Sequence, residues 1–341
     1  MSIQHSRTWE LAFSLNRQSD IRTGVANALI NKERSVRTFA PIKEVKQRIS
    51  DRQWYGKGHS FPTFSDQITR YYELGTVERS ATLVETLYAV AMVMGGLQSS
   101  QSGAEWTHAV SWQSLATNKE VVYTSLIEKV GAEYQKKLTG AYIESVTITG
   151  DRADHVKLSM TGAGRQYVDN AAAMPGITTS PFLKTLYGLV SFGAAGAPAD
   201  ISVEVLSFNL TISQNPQRFF LMGNSAGEEM LLSKVLIGDQ TVSGQVTIFI
   251  NATHRNRFLN QDDCELRIIC KSPTMIAVSP HMMTIQLPHF VISEEAFSEE
   301  GQTIAYQMNF NEESVLKPGV AEQCVVTFVT DIPATELLVV G

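Results

Sequence analysis

The sequence predicts a mainly β protein of the sandwich or barrel class, and two observations carry that expectation. First, two paired stretches alternate apolar with small polar residues: 142–149 with 156–161, and 203–213 with 241–251. In the second pair Leu206, Phe208, Leu210 and Ile212 share one side, and Ser207, Asn209, Thr211 and Ser213 share the other, which is the two-residue period of a strand. Such a sheet has one face for a core and one for water or a partner. Second, further short strand-like runs separated by turn formers recur along the chain, while helix signals are few.

Residues 1–50 mix short apolar groups with Arg and Lys and read as an N-terminal arm, in which Ile21, Val25, Ala28 and Leu29 stand at helical spacing. The run 36–45 is strand-like but interrupted by Pro41, which belongs at a sheet edge or bulge. A first β module is expected over 51–170. It begins with turn formers and aromatics at 54–62 and a strand at 66–73. Its helix, 82–94, starts where Thr82 and Glu85 stand at capping-box spacing and stops at Gly95-Gly96. Leu83, Leu87, Val90, Ala91 and Met94 form one stripe, as on a helix packed against a sheet. Trp106, Trp112, Val121, Val122 and Tyr123 mark strands within 105–134, and the first hairpin turns through 150–154.

Residues 171–200, rich in Gly, Ala, Ser and Pro around an apolar island at 182–192, read as a linker or long loop. A second β module, 201–341, is expected to hold strands at 203–213, 218–222, 241–251, 265–271, 282–287, 304–311 and 322–329. A short helix at 253–260 follows the third of these. Both halves then run strands, helix, strands, as two tandem related modules do.

The 341 residues suffice for one large domain or two medium ones. Three cysteines are too few for a disulfide framework. Cys264 and Cys270 on extended chain lie about 20 Å apart, too far to bridge each other or share a metal. Residues 1–10 lack the apolar core of a secretory signal. The longest apolar run, 87–97, is short of the roughly 20 residues that cross a bilayer. A soluble, reducing compartment and no membrane partner are expected. The formal charge of −6 hides a polarity. Residues 1–60 hold 11 Lys or Arg against 5 Asp or Glu, and 261–341 hold 3 against 12. Opposite ends of opposite sign suit head-to-tail self-association.

The motif search nominates no chemistry. Gly56-Lys57-Gly58-His59-Ser60 lacks the spaced glycines and following helix of a phosphate loop. Ser225 lies in Gly223-Asn224-Ser225-Ala226-Gly227 without the α/β framework of a nucleophile elbow. The seven histidines form no His-x-x-x-His pair, and His281 and His289 fall some 25 Å apart on an extended strand. The acid pairs Asp262-Asp263, Glu294-Glu295, Glu299-Glu300 and Glu312-Glu313 lack calcium-loop spacing and read as solvated loop charge. Arg255 and Arg257 beside Phe258 are a small footprint for nucleic acid on an acidic chain. Catalytic, cofactor-binding and metal-binding residues are therefore expected to be none, and a non-enzymatic role is favoured. Trp54, Trp106 and Trp112 leave a carbohydrate- or host-binding β-sandwich as an alternative, against the simpler placement in core or interface.

The order of segments is familiar. Gly140 to Gly150 reads GAYIESVTITG, 203–213 reads VEVLSFNLTIS, and 240–250 reads QTVSGQVTIFI and leads into Arg255-Asn256-Arg257-Phe258-Leu259. Together they resemble the tail tube proteins of long-tailed, siphovirus-type bacteriophages, over residues 60–341. The resemblance implies tail-tube-type β-sandwich or barrel modules with flanking α-helices, whose sheets join those of neighbours into a barrel. Stacked rings of that barrel form a channel for DNA ejection, without catalytic residues or cofactor.

On that resemblance two modules per chain imply three chains in a ring of pseudo-sixfold symmetry, the favoured count; one module requires six. The partners implied are further copies of the chain, other tail proteins, and genomic DNA passing through the lumen without specific binding. The location implied is the virion tail, with the host cytoplasm during assembly. A tail terminator, distal tail or baseplate protein is the alternative within the structural class. A polar, weakly charged face is expected to line the channel, since Lys or Arg there would grip phosphates. The basic 1–60 region of one ring is expected to meet acidic loops of the next, 294–300 among them.

Overall fold

A computed structural model describes residues 9–26, 30, 32–34, 41–50, 65–75, 78–114, 119–131, 134–152, 154–170, 180–220, 231–276, 279–300, 303–315 and 322–337. Alternating sequence becomes antiparallel sheet throughout. The chain enters through β1 (Trp9–Phe13), β2 (Lys32–Arg34) and the antiparallel pair β3 (Lys43–Ser50) and β4 (Ser65–Glu73). Next come β5 (Arg79–Ser80), α1 (Leu83–Met94) and the hairpin β6 (Gly95–Ser102) and β7 (Glu105–Trp112). The middle of the chain holds β8 (Thr124–Val130), β9 (Tyr134–Asp151), β10 (Lys157–Gly164), β11 (Gln166–Asp169), β12 (Lys184–Ala194), β13 (Ala197–Asp200) and β14 (Val205–Ser213). Then follow β15 (Gln217–Phe220), β16 (Leu232–Leu236), β17 (Thr241–Phe249) and α2 (Ala252–Asn260). The last strands are β18 (Cys264–Ile276), β19 (Ser279–Phe290), β20 (Glu294–Glu300), β21 (Thr303–Phe310) and β22 (Val325–Thr330).

The larger sheet turns on β9. Gly140, at φ 62°, bends this strand midway, and a Cβ there would meet the Ile21 carbonyl oxygen at 2.6 Å, so only glycine fits. N-terminal to the bend, β9 pairs with β8 and β11, and β1 and β2 lie beyond β8. C-terminal to it, β9 takes its place in a run of strands ordered β3-β4-β10-β9-β14-β17-β21-β20. The second sheet is ordered β13-β12-β18-β19-β22-β7-β6.

Helix α1 occupies the core between the sheets, touching β9 and β14 on one side and β6, β7, β19 and β22 on the other. Every residue of α1 except Val84 is buried, including Tyr88, Ala89, Met92 and Val93 outside the expected stripe. Its ends follow the sequence signals: the Glu85 amide donates to Thr82 Oγ1 at 3.3 Å, and Gly95 closes it at φ 76°. Only half of the capping box forms. The Glu85 carboxylate instead accepts from Arg79 Nε at 3.0 Å, an ion pair with both side chains buried.

One arrangement occurs twice along the chain. An antiparallel pair in the large sheet precedes a helix, then a hairpin in the second sheet, then a hairpin back in the large sheet. The first copy is β3, β4, α1, β6, β7, β9, β10; the second is β14, β17, α2, β18, β19, β20, β21. Spatial order repeats as well, β3-β4-β10-β9 followed by β14-β17-β21-β20. The copies differ in β8, which precedes β9 without a counterpart before β20, and in α2, where His254 alone is buried.

Several segments stand where the sequence pattern pointed elsewhere. Within the expected arm 1–50, Leu11 and Phe13 of β1 are buried in the main core and the Phe13 ring lies 4.3 Å from that of Tyr88 on α1, while 1–8, 27–29, 31 and 35–40 lie outside the described residues. Ile21 and Val25 are buried in irregular backbone rather than in a helical turn. Of the strand read at 36–45, residues 43–45 belong to β3 and 36–40 lie outside the described residues. Within the expected linker 171–200, Lys184–Ala194 is β12, paired to β18. Its small residues serve close approach rather than looping: a Cβ on Gly188 would meet the Ile269 carbonyl oxygen at 2.4 Å. Residues 171–179 and 54–62 lie outside the described residues. The 294–300 run, read as loop acids, is strand β20.

Replacing Leu87, fully buried on α1, with Ala is expected to lower unfolding free energy by about 2–5 kcal/mol. Glu85→Gln strands the buried Arg79 guanidinium without a countercharge and is expected to cost about 3–5 kcal/mol, with Glu85→Met plus Arg79→Met together costing less. Denaturant titration of the variants measures both, and a double variant worse than Glu85→Gln alone would contradict the ion-pair argument.

Candidate functional site

The two alternating stretches are one surface. β9 and β14 pair from Ser145↔Ser213 to Asp151↔Ser207, which joins β10-β9 to β14-β17 side by side. Val146, Ile148, Leu210 and Ile212 are buried toward α1 in the same core. Their neighbours in sequence therefore face away from it. One row on that outer face runs Lys157, Thr149, Asn209, Gln245, Asn309, Glu294, crossing from β10 to β20. The next holds Ser159, Thr147, Thr211 and Ser243.

Several groups on this face satisfy one another. Thr147 Oγ1 lies 3.0 Å from Thr211 Oγ1, and Ser145 Oγ lies 2.7 Å from Thr161 Oγ1. Gln245 Nε2 donates to Thr247 Oγ1 at 3.2 Å. Lys157 sits 3.3 Å from Asp151 and 3.8 Å from Asp154, so its charge is matched locally. The face is wet, nearly neutral, and poor in groups that would hold a ligand.

The run of strands ends on two edges of opposite composition. β3 carries Lys43, Lys46 and Arg48 with Glu44, and Glu44 is held by Lys46 at 3.0 Å and Arg70 at 3.8 Å. β20 carries Glu294, Glu295, Glu299 and Glu300, with Phe297 exposed between them.

Other polar clusters are structural. Arg218 Nε donates to Tyr142 Oη at 2.7 Å, its Nη2 to Glu144, and its guanidinium lies 4.6 Å from the Tyr71 ring centre, tying β15 to β9 and β4. A cleft of about 270 Å³ between β12, β14 and β18 is lined by Val205, Phe208, Ile268 and Cys270, with Asp151 and Arg152. Burial pushes the Cys270 thiol up to about 12, which disfavours the thiolate form. Cys264 and Cys324 are likewise free and buried, with thiols pushed up to about 11 and about 12.

The residues weighed for chemistry are dispersed. Trp54, the segment 56–60 and the segment 223–227 lie outside the described residues. His281 is buried on β19, whereas His289 Nδ1 lies 2.9 Å from Asp263 at the far end of that strand. Asp262 lies 4.0 Å from Arg257 and Glu295 lies 3.5 Å from Arg255, so both arginines on α2 are engaged by carboxylates of their own chain. Trp112 is buried in the core, and the Trp106 ring stacks on His108 at 6.2 Å. Among the described residues no three of His, Cys, Asp or Glu gather to hold a metal ion, and no helix is long and apolar enough to cross a membrane. What sequence reasoning missed was the pairing of β9 with β14. Its signal was present in the matching Ser/Thr alternation of 145–151 and 207–213.

Comparison with known families matches residues 63–311 to the phage tail tube protein family. Comparison with curated proteins returned no match.

Three buried histidines set a pH dependence. His108 accepts from Ser99 Oγ at Nδ1 and donates from Nε2 to the Ile332 carbonyl, both at 2.8 Å, an arrangement for the neutral ring. Burial lowers its pKa and that of His281, and lowers that of His254 in spite of Glu204 at 3.3 Å. Folded values below the unfolded one mean that the unfolded chain binds more protons, so this stability is present above about pH 6.5 and lost as pH falls below it. The denaturation midpoint is expected to drop between about pH 7 and about pH 5. His281→Gln should flatten that drop, and an unchanged profile would refute the assignment for this residue.

Proposed function

The chain belongs to the phage tail tube protein family, and from that premise we propose that its copies close into stacked rings around a channel for DNA ejection. A structural role in a phage tail follows from the family itself. The ring, the channel and the count of chains are our reading, and the observation that carries it is the run β3-β4-β10-β9-β14-β17-β21-β20 with its polar face, on which Ser145 pairs with Thr161 and Thr147 with Thr211.

The repeated arrangement supports two tandem modules per chain. Each contributes four strands to the run, so three chains make a ring of pseudo-sixfold symmetry. Closure removes the open sheet edges that would otherwise template aggregation. The apolar side of the run is occupied by α1 and the second sheet, which leaves the Ser, Thr, Asn and Gln side to face the channel.

That lining suits passage. Double-stranded DNA is retained by each Lys or Arg that neutralises a phosphate, with an affinity that falls steeply with salt. Across the rows built on β9 and β14 the hydroxyl and amide groups are neutral, and Lys157 is matched by Asp151 and Asp154. Along these rows DNA would find no unmatched cation to grip its phosphates. Neither buried Trp112 nor Trp106 stacked on His108 favours the sugar-binding alternative.

Electron microscopy of the purified full chain is expected to reveal long uniform tubes with threefold or pseudo-sixfold rings. Isolated rings that never stack would instead fit a terminator or hub. Thr147→Lys with Asn209→Lys and Thr211→Lys should leave tubes intact yet slow DNA release from assembled particles, with less retardation as salt rises. Release at the unaltered rate would show that this face does not line the channel.

A further inference from the structure

The geometry points to the seam between neighbouring chains of one ring: β20 of one copy pairs antiparallel with β3 of the next. The inference rests on the tube reading and names the partner edges within it. Inside one chain the step from the first module to the second is already visible. β9, the outer strand of the first four, pairs antiparallel with β14, the first strand of the second four. In the repeat, β20 stands where β9 stands and β3 stands where β14 stands. Applying the same step again carries β20 onto β3 of a second copy.

The two edges are open for it. β3 pairs with β4 and β20 with β21, and among the described residues neither has a strand on its other side. Their lengths match, at 8 and 7 residues. Each therefore presents a row of backbone donors and acceptors that a partner strand can complete.

Charge chooses the partner. By sequence β3 carries Lys43, Lys46 and Arg48 against Glu44, a basic excess even with Lys46 and Arg70 engaged by Glu44, whereas β20 carries Glu294, Glu295, Glu299 and Glu300, of which Glu295 is engaged by Arg255. A β20 edge facing another β20 sets glutamates against glutamates, and two β3 edges repel likewise. Such repulsion disfavours twofold dimers and leaves the head-to-tail contact that closes a ring. Phe297 and Ile304 add an apolar component. Both lie on the core-facing side of this edge, at 51% and 58% exposure, where a neighbour's strand would cover them.

This placement also turns the acidic run sideways. Glu294–Glu300 is hydrogen-bonded strand at a sheet edge rather than a loop reaching along the tube axis. Its basic partner thus sits beside it in the same ring and not in the ring above.

Cross-linking of the full chain tests the seam. Val45, Lys46 or Gln47 is changed to Cys in combination with Ala296, Phe297 or Ser298, giving a panel that spans the possible registers. The native cysteines are buried and do not interfere. In tubes verified by microscopy, at least one pair should oxidise into covalently closed rings, seen as a ladder ending at the ring's chain number on a non-reducing gel. Tubes in which no pair cross-links would overturn the seam while leaving the tube reading intact; a parent chain that never assembles would overturn the tube reading instead. Charge reversal gives a second arm. Glu294→Lys/Glu299→Lys/Glu300→Lys, or Lys43→Glu/Lys46→Glu/Arg48→Glu, should cut tube yield by about tenfold or more with an unchanged circular dichroism spectrum, and the two sets combined in one chain should restore it. Full assembly of either single set would count against the proposal, as would failure of the folded combination to recover.

Discussion

The ladder between β9 and β14 is the interaction on which the rest of the molecule depends. It converts two separately legible strand pairs into one sheet, and it fixes which side of each faces α1. Because side chains alternate with a period of two, a slip of one residue in that ladder would turn Leu210 and Ile212 to water and Thr211 to the core. The apolar side then has to be covered, and α1 does this with residues around its whole circumference. A helix apolar on every side needs a second surface. The sheet built on β18, β19, β22 and β7 supplies it, and the sandwich follows.

The parts of this fold legible in the sequence are those where a local rule and the tertiary environment agree. Ser145, Thr147 and Thr149 alternate with Val146 and Ile148 because one side of β9 is wet and the other dry. Thr82 and Gly95 marked the ends of α1 because both cap it in fact. The Arg79–Glu85 pair was not legible, since Glu85 also suited the capping box and nothing in its spacing distinguished the two uses. β12 was hidden by Gly188 and Gly193, small residues that normally announce a loop but here admit neighbouring backbone. β20 was hidden by its glutamates. An edge strand has only one hydrogen-bonded side and one partly covered face, so Glu295 can occupy a core-side position that an interior strand would give to Val or Ile.

For the same reason the candidate site was legible as a pattern and not as a place. Alternation in 145–149 and in 207–213 gave each polar face its composition. Their fusion depends on a contact between residues some sixty positions apart, Thr147 with Thr211 among them, which no window of local sequence contains. The search for catalytic groups failed for a different reason. Some charged residues that looked available in sequence are paired within the chain, as Arg255 is with Glu295 and Asp263 with His289.

In the tube we propose, a subunit must satisfy two requirements that pull in opposite directions: its wall should hold nothing that passes, and its edges should hold one another. The chain separates them by residue type. On the proposed wall Ser145 with Thr161, Thr147 with Thr211 and Gln245 with Thr247 spend hydrogen bonds on each other, so DNA in that channel would meet a hydrated surface with these partners already engaged. Formal charge is concentrated instead on the outermost strands, where it does double duty. Before assembly, Lys on β3 and Glu on β20 keep like edges apart, the commonest protection of an exposed strand. In the proposed ring the same charges would be attractive for one pairing alone, the one that preserves the direction of the ring. An edge made apolar would have bound more neighbours but could not have chosen among them. The cost of that choice would be a seam whose strength falls with ionic strength in its exposed part and is sustained, once formed, by backbone hydrogen bonds that salt does not screen.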